Sequence, residues 1–313
     1  MTAGCNAGSE WDVQEDRCGG IGVSCLTMDG PRTDSRLIER VARCLHEHEV
    51  LEPNEENAGR IAAEIRASLG WRRKWLRQLE APQRLDRADI VWSIAAARDG
   101  GDRDEALWRG FLAGHFGRPS ARPGDARRVA SAGRFLNGFG DSPLWTWVAV
   151  SSDLGILDTW LRDHAQDLAG LRFGNHRKYE SSQPGRLFEV IVSFAEWVRR
   201  SGGSPAEAFD TNGDSSPALA FDRLYRGLSS VRRFGRTASF DTLLLLADMR
   251  LLDVIPGSCY LAGATGPLRG AEELWGLRPV AELERLTAAL AGCLDLPLEN
   301  AEDVLCNWQK RQT

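Results

Sequence analysis

Lysine is nearly missing from this chain. Lys74, Lys178 and Lys310 are the only three, and every other one of its 39 basic residues is arginine. A coding sequence rich in G and C favours arginine codons and accounts for the bias without any function. The same bias singles out a lysine that persists inside a polar motif, as Lys178 does. Also missing is any C-x-x-C pair. The seven cysteines, Cys5, Cys18, Cys25, Cys44, Cys259, Cys293 and Cys306, are odd in number and follow neither zinc nor disulfide-framework spacing. Reduced thiols in a cytoplasm are therefore expected. Cys44, His46 and His48 lie close together, but at those spacings they do not share one helix face, so no metal site is expected. No apolar run approaches the roughly 20 residues that span a bilayer. The acidic N-terminus has no apolar core of the kind a signal peptide needs. Walker loops, GxSxG, HExxH and the kinase signatures are absent too.

What is present suits a folded helical protein. The 313 residues are 42% hydrophobic and 27% charged, enough apolar material for one large domain or two smaller ones. Eleven tryptophans are expected mainly as core anchors. The net charge of −5 gives no global pull toward nucleic acid. Its distribution is uneven: residues 1–60 are strongly acidic, while 118–134 and 223–250 are dominated by arginine. A local basic face can exist in such a protein.

Residues 1–32 lack periodicity and are rich in Gly, Ser, Thr and Asp, which predicts a mobile tail. Helical spacing begins at Asp34, with Leu37, Ile38, Val41 and Leu45 on one face. Further helices are expected at 57–69, 71–79, 104–115, 125–136, 143–150, 153–166 and 186–200. Residues 201–217 read as a surface loop with one short helical insert. Helices then return at 217–230, 236–252, 267–275, 279–292 and 298–311. No βαβ rhythm or internal repeat appears, so the fold class is all-α.

Four stretches can carry chemistry. In Leu171–Ser182, Asn175, His176, Arg177, Lys178, Tyr179 and Glu180 follow Gly174. They can bind an anion and move a proton, or simply solvate a loop. In Leu224–Asp241, Arg226, Arg232, Arg233 and Arg236 surround Gly235. Thr237 or Ser239 can cap the next helix, whose free N–H groups suit a phosphate. The alternative is a basic surface, with Asp241 serving the helix dipole. In Asp253–Trp275, Gly263, Gly266 and Gly270 permit close backbone approach, either to a phosphate or between two helices. In Leu298–Arg311, Glu299, Glu302 and Asp303 serve the helix dipole or point into a site. His115 reads as a residue at a helix C-terminus.

Taken together, FGNHRKYES, LYRGLSSVRRFGRTASFD, YLAGATGPLRGAEELWG and EDVLCNWQK resemble the α-glutamyl/putrescinyl thymine pyrophosphorylase family, most closely its third clade. The similarity spans roughly residues 105–311 with the blocks in order. It implies a two-lobed helical bundle related to helix-hairpin-helix DNA glycosylases. On that view 33–100 is an N-terminal helical extension and 101–313 the pyrophosphorylase-like domain. The implied substrate is DNA carrying a pyrophosphorylated 5-hydroxymethyl pyrimidine, and the implied second substrate is an amine such as an amino acid or putrescine. No cofactor is required, although Mg²⁺ can accompany the pyrophosphate.

The resemblance also distributes roles. Lys178, Arg232, Arg233 and Arg236 stabilise the departing pyrophosphate. His176, Asp241 or Asp303 takes the proton of the attacking amine. Asn175, Arg177, Gly263, Gly266, Arg269 and Gly270 contact phosphate, and Tyr260 or Trp275 stacks on a flipped base. Two alternatives stand beside this reading. One is a non-enzymatic DNA-binding or interaction protein of the same fold. The other is a glycosylase-like hydrolase or lyase, which the acids near the Gly-rich turn, Glu272 and Glu273 followed by none until Glu282, disfavour.

Overall fold

The computed structural model describes residues 31–85, 89–117, 126–140, 142, 144–174, 177 and 180–311. Among these are fifteen α-helices and no strand. The chain is all-α, as the periodicity predicts. No described helix is long and apolar enough to cross a membrane.

The helices assemble around two cores. One contains the end of α2 (Glu55–Glu80) and the long middle of the chain. That middle runs from α3 (Ile90–Asp99) and α4 (Arg103–Phe116) through α5 (Ala126–Leu136), α6 (Trp147–Ser152), α7 (Leu154–Asp163) and α8 (Ala165–Ala169). It continues with α9 (Pro184–Arg200), α10 (Pro205–Ala208), α11 (Pro217–Leu228) and α12 (Arg236–Asp248). The second core joins the two ends of the described chain. There α1 (Pro31–Glu47) and the start of α2 pack on α13 (Thr265–Trp275), α14 (Val280–Leu294) and α15 (Leu298–Trp308). Residues 33–100 thus have no core of their own. Leu37, Val41, Ile61 and Ile65 bury their side chains with Leu274, Leu286 and Leu305.

Helix α2 links the cores. Asn54 caps its start, accepting from the Asn57 N–H at 2.8 Å. The spacing predicts a break at Gly70, but the helix runs through it. One glycine costs a helix only about 1 kcal/mol, and tertiary contacts hold the second half. Arg72 pairs with Asp248, and the Trp75 indole N–H donates to the same carboxylate at 2.9 Å. Helix α3, between Pro82 and Gly100, was not expected from periodicity. Ile90, Val91, Ile94, Ala95 and Ala97 bury almost every side of it, so it has no polar face to mark its period.

Helix α4 runs through the first core, buried from Glu105 to Phe116 at every position but Arg109. Gly110 and Gly114 let α12 cross it closely. A Cβ on Gly114 would lie 1.7 Å from the Thr242 hydroxyl, and one on Gly110 2.4 Å from Leu246. The same device joins α13 to α15, where a Cβ on Gly270 would lie 2.2 Å from the Leu305 carbonyl oxygen.

The cysteines depart from expectation. Cys44 on α1 and Cys293 on α14 form a disulfide across 249 positions of sequence. Spacing cannot reveal such a pair, because only the packing of the two chain ends brings them together. Cys259 and Cys306 are free thiols, and Cys5, Cys18 and Cys25 lie outside the described residues.

Candidate active site

Three distant segments converge at the start of α12. Arg236, its first residue, is the hub. Its Nε donates to the Tyr260 carbonyl at 3.0 Å, Nη2 to the Cys259 carbonyl at 2.6 Å, and Nη1 to Glu302 of α15 at 2.6 Å. The guanidinium also lies 4.6 Å from the Phe240 ring centroid. Burial pushes the Glu302 carboxyl above its ordinary range, against the pull of Arg236. Glu284 fastens the same loop from α14, accepting from the backbone N–H groups of Cys259 and Leu261. Burial raises its carboxyl too, and those two bonds oppose the shift.

Arg177 fastens the other side. It is buried, and it donates from Nε to the His115 carbonyl and from Nη2 to the Arg233 carbonyl, both at 3.1 Å. Glu180 lies between two guanidiniums, 3.5 Å from Arg177 and 3.4 Å from Arg233. The Arg233 backbone sits at φ +58°, a left-handed conformation uncommon outside glycine. Asp241, on the second turn of α12, is close enough for its charge to act on both Arg177 and Glu302. Arg177, Arg233 and Arg236 therefore face Glu180, Asp241 and Glu302 in one charge lattice.

His115 lies within this lattice. Its imidazole is 2% exposed, packs edge-on to Phe116 and Phe173, and neither ring nitrogen has a hydrogen-bond partner. Burial, reinforced by the charges of Arg177 and Arg233, lowers its pKa from 6.5 to about 3. The unfolded chain therefore binds a proton near pH 6.5 that the folded chain refuses until about pH 3. Stability is full above pH 6.5 and is lost as pH falls through that window. Urea unfolding between pH 8 and pH 4 is expected to show this loss, and His115→Phe is expected to flatten it. Parallel pH curves for the two proteins would refute the assignment.

The other sequence-predicted residues divide. Arg232 is exposed, and its backbone N–H donates to the Ser193 hydroxyl at 2.9 Å. Arg233 keeps 25% of its side chain exposed, with its Nε 3.4 Å from Glu180. Asp303, beside Glu302, accepts from the Asn307 amide at 3.1 Å. Gly263 lies next to the Arg236 side chain. Gly266 and Gly270 lie inside α13 against Cys306 and Leu305, where they serve helix packing and not an open turn. Arg269 is exposed and 3.5 Å from Glu273. Asn175, His176, Lys178 and Tyr179 lie outside the described residues.

Two expectations are corrected. Thr237 and Ser239 do not cap α12. Gly235 occupies the N-cap without a side-chain bond, and the buried Ser239 hydroxyl donates to the Phe234 carbonyl at 3.3 Å. Trp275 cannot stack on a base. It is 1% exposed and its N–H donates to the His48 carbonyl at 2.8 Å. Tyr260 is half-buried, packed against Tyr225, Phe221 and Phe240.

Residues missed in the sequence are Glu284 and the pairing of Glu180 with Arg233. No local signal marks them, because their importance comes from partners tens of positions away.

The geometry defines an all-α protein whose lobes are joined through a buried arginine–carboxylate lattice at one helix N-terminus. The chain belongs to the alpha-glutamyl/putrescinyl thymine pyrophosphorylase family, clade 3, whose family model matches residues 71–313. The match reaches back beyond residue 105 to include the second half of α2 and all of α3. The family's name places it in thymine modification, with a DNA base as the implied substrate. No curated protein and no solved structure matches the chain.

Proposed function

We propose that this protein is a transferase that modifies a base in DNA. The bond between a pyrimidine 5-methylene carbon and pyrophosphate oxygen breaks, and the bonding pair leaves with pyrophosphate. A neutral amine forms the new C–N bond and gives up one proton. The observation that carries the reading is convergence: Arg177 and Glu180, Arg233 and Arg236, and Glu302 meet around the start of α12. Arg232, Arg233 and the uncapped N–H groups of α12 are the donors for the leaving pyrophosphate. Lys178, joined to Arg177 by the chain, adds a further charge.

Asp241 is the preferred proton acceptor, with His176 and Asp303 as the other candidates. Arg177 and Arg236 hold the lattice in place, through two and three hydrogen bonds to protein acceptors respectively. Arg269, Asn175 and Gly263 are the candidate contacts for the DNA phosphates. The amine is an amino acid or putrescine. The protein needs no resident cofactor, and Mg²⁺ arrives with the pyrophosphate.

The test is pyrophosphate release from DNA bearing pyrophosphorylated 5-hydroxymethyluracil, with an amine supplied and the product nucleoside weighed. Arg233→Ala and Asp241→Asn are each expected to slow turnover about a hundredfold while leaving the melting temperature nearly unchanged. Absence of pyrophosphate release with every amine would overturn the reading.

The same engagement of Arg177 and Arg236 with protein acceptors supports a second reading, a DNA-binding or interaction protein without turnover. Salt-sensitive DNA binding that Asp241→Asn leaves intact, together with no pyrophosphate release, would favour it.

A further inference from the structure

Away from the lattice, helices α1 and α14 end at one point. Cys44 and Glu47 are three positions apart in the last turn of α1, a spacing that puts both side chains on one helix face. Cys293 lies in the last turn of α14. The two sulfurs and a Glu47 carboxylate oxygen lie within 4.8 Å of one another. Cys44 is buried, Cys293 partly buried and Glu47 exposed, so the group is covered on one side and open to solvent on the other. Cys44 thus meets its partners across the fold and one turn along its helix, and not in His46 and His48.

The disulfide leaves one contact without a cause. Glu47 Oε2 is 3.5 Å from Cys293 Sγ. A sulfur in a disulfide carries no hydrogen, so it has nothing to donate to a carboxylate. Two helix C-termini also converge here, and their free carbonyls carry partial negative charge that favours a cation. The Arg40 guanidinium, which donates to the Cys293 carbonyl at 3.1 and 2.9 Å, already answers part of that demand.

We propose that the reduced chain binds a zinc ion here, through Cys44 Sγ, Cys293 Sγ and a Glu47 carboxylate oxygen, with water as the fourth ligand. Thiolates and a carboxylate are a usual zinc donor set. With Zn–S of about 2.3 Å and Zn–O of about 2.1 Å, a tetrahedral ion sets its S···O edge at about 3.6 Å. The Glu47–Cys293 separation of 3.5 Å matches that edge. The S···S edge is about 3.8 Å, reached once the bond between the sulfurs is broken. On binding, each thiol loses its proton and Zn²⁺ takes the two thiolates. Hydrogen peroxide reverses the exchange. The thiolates give it two electrons and form the disulfide, Zn²⁺ leaves, and the peroxide takes up two protons to become two waters. In both states α1 stays tied to α14. The inference is independent of the transferase reading.

The test uses the full chain, reduced with a phosphine, stripped with a chelator and titrated with Co²⁺ as a spectroscopic stand-in for Zn²⁺. One ion per chain is expected, with thiolate-to-cobalt charge-transfer absorption that added Zn²⁺ abolishes. Glu47→Gln changes an exposed side chain and preserves its shape. It is expected to weaken the ion at least about tenfold, the loss that even an outer-shell change causes. The Cys44→Ala, Cys293→Ala double variant is expected to lose the absorption. Zn²⁺ should also raise the unfolding midpoint of the reduced wild type and leave the double variant unmoved. No charge-transfer absorption in the reduced wild type overturns the proposal. So does absorption retained in the double variant, which would place the ion on other cysteines, or Glu47→Gln binding as tightly as wild type.

Discussion

Arg236→Ala is expected to destabilise the protein by about 3–5 kcal/mol, the usual cost of removing one partner from a buried ion pair. Three losses coincide. The Cys259 and Tyr260 carbonyls lose their donor, and the loop before α13 loses its tie to α12. Glu302, 16% exposed, loses its ion-pair partner. The pH dependence identifies the last loss. Burial already raises the Glu302 carboxyl and Arg236 opposes the shift, so without Arg236 it rises further. A carboxyl raised in the folded state holds a proton that the unfolded chain releases, so stability falls as pH rises through that window. The gap from wild type should therefore be wider at pH 8 than at pH 5. Glu302→Gln in the Arg236→Ala chain should recover part of the stability, because it removes the stranded charge. Urea unfolding at both pH values measures this. A single variant within 1 kcal/mol of wild type at pH 8 would show that the clamp does not hold the loop.

That prediction bears on what the sequence could tell. Arg236 is visible there as a basic residue at a helix start, the pattern expected of an anion site. Its actual partners, Cys259, Tyr260 and Glu302, are 23, 24 and 66 positions away. No local rule connects them, so residue type alone shows a cation at a helix start and not what that cation holds. His115 illustrates the reverse. Its place at the end of α4 reads as unremarkable. Only the fold buries it among Phe116, Phe173, Arg177 and Arg233. The glycines at 266 and 270 were open to two readings, and the approach of Leu305 and Cys306 settles them as packing positions.

Helix positions were far more legible, since amphipathic spacing and caps are local. The expected helices at 104–115, 186–200, 217–230 and 279–292 all appear within a few residues. The failures share one cause. Helix α3 is apolar on nearly every side, so it has no period, and Gly70 stops a helix only where no tertiary contact carries it through. How α1 and α2 meet α13–α15 was equally invisible. The acidic start of the chain looked like an added segment, yet α1 and half of α2 complete the core around α13–α15.

Severing the bond between Cys44 and Cys293 should cost about 2–5 kcal/mol. The bond joins α1 to α14, and the Arg40 guanidinium donates to the Cys293 carbonyl at 3.1 and 2.9 Å beside it. The link closes a loop of 249 positions, and a loop that long restricts the unfolded chain strongly. Its loss should act first on the second core, where α1 is held by side-chain burial and not by backbone pairing. Cys44→Ala, Cys293→Ala and the double variant should be similarly destabilised, because each removes the same bond. The penalties should not add. A reductant should lower the wild-type unfolding midpoint toward theirs and leave the double variant unmoved. Thiol titration of the unfolded, unreduced chain provides the direct check. Full reactivity of all seven cysteines would mean that the bond does not form and that side-chain packing alone holds α1 in place.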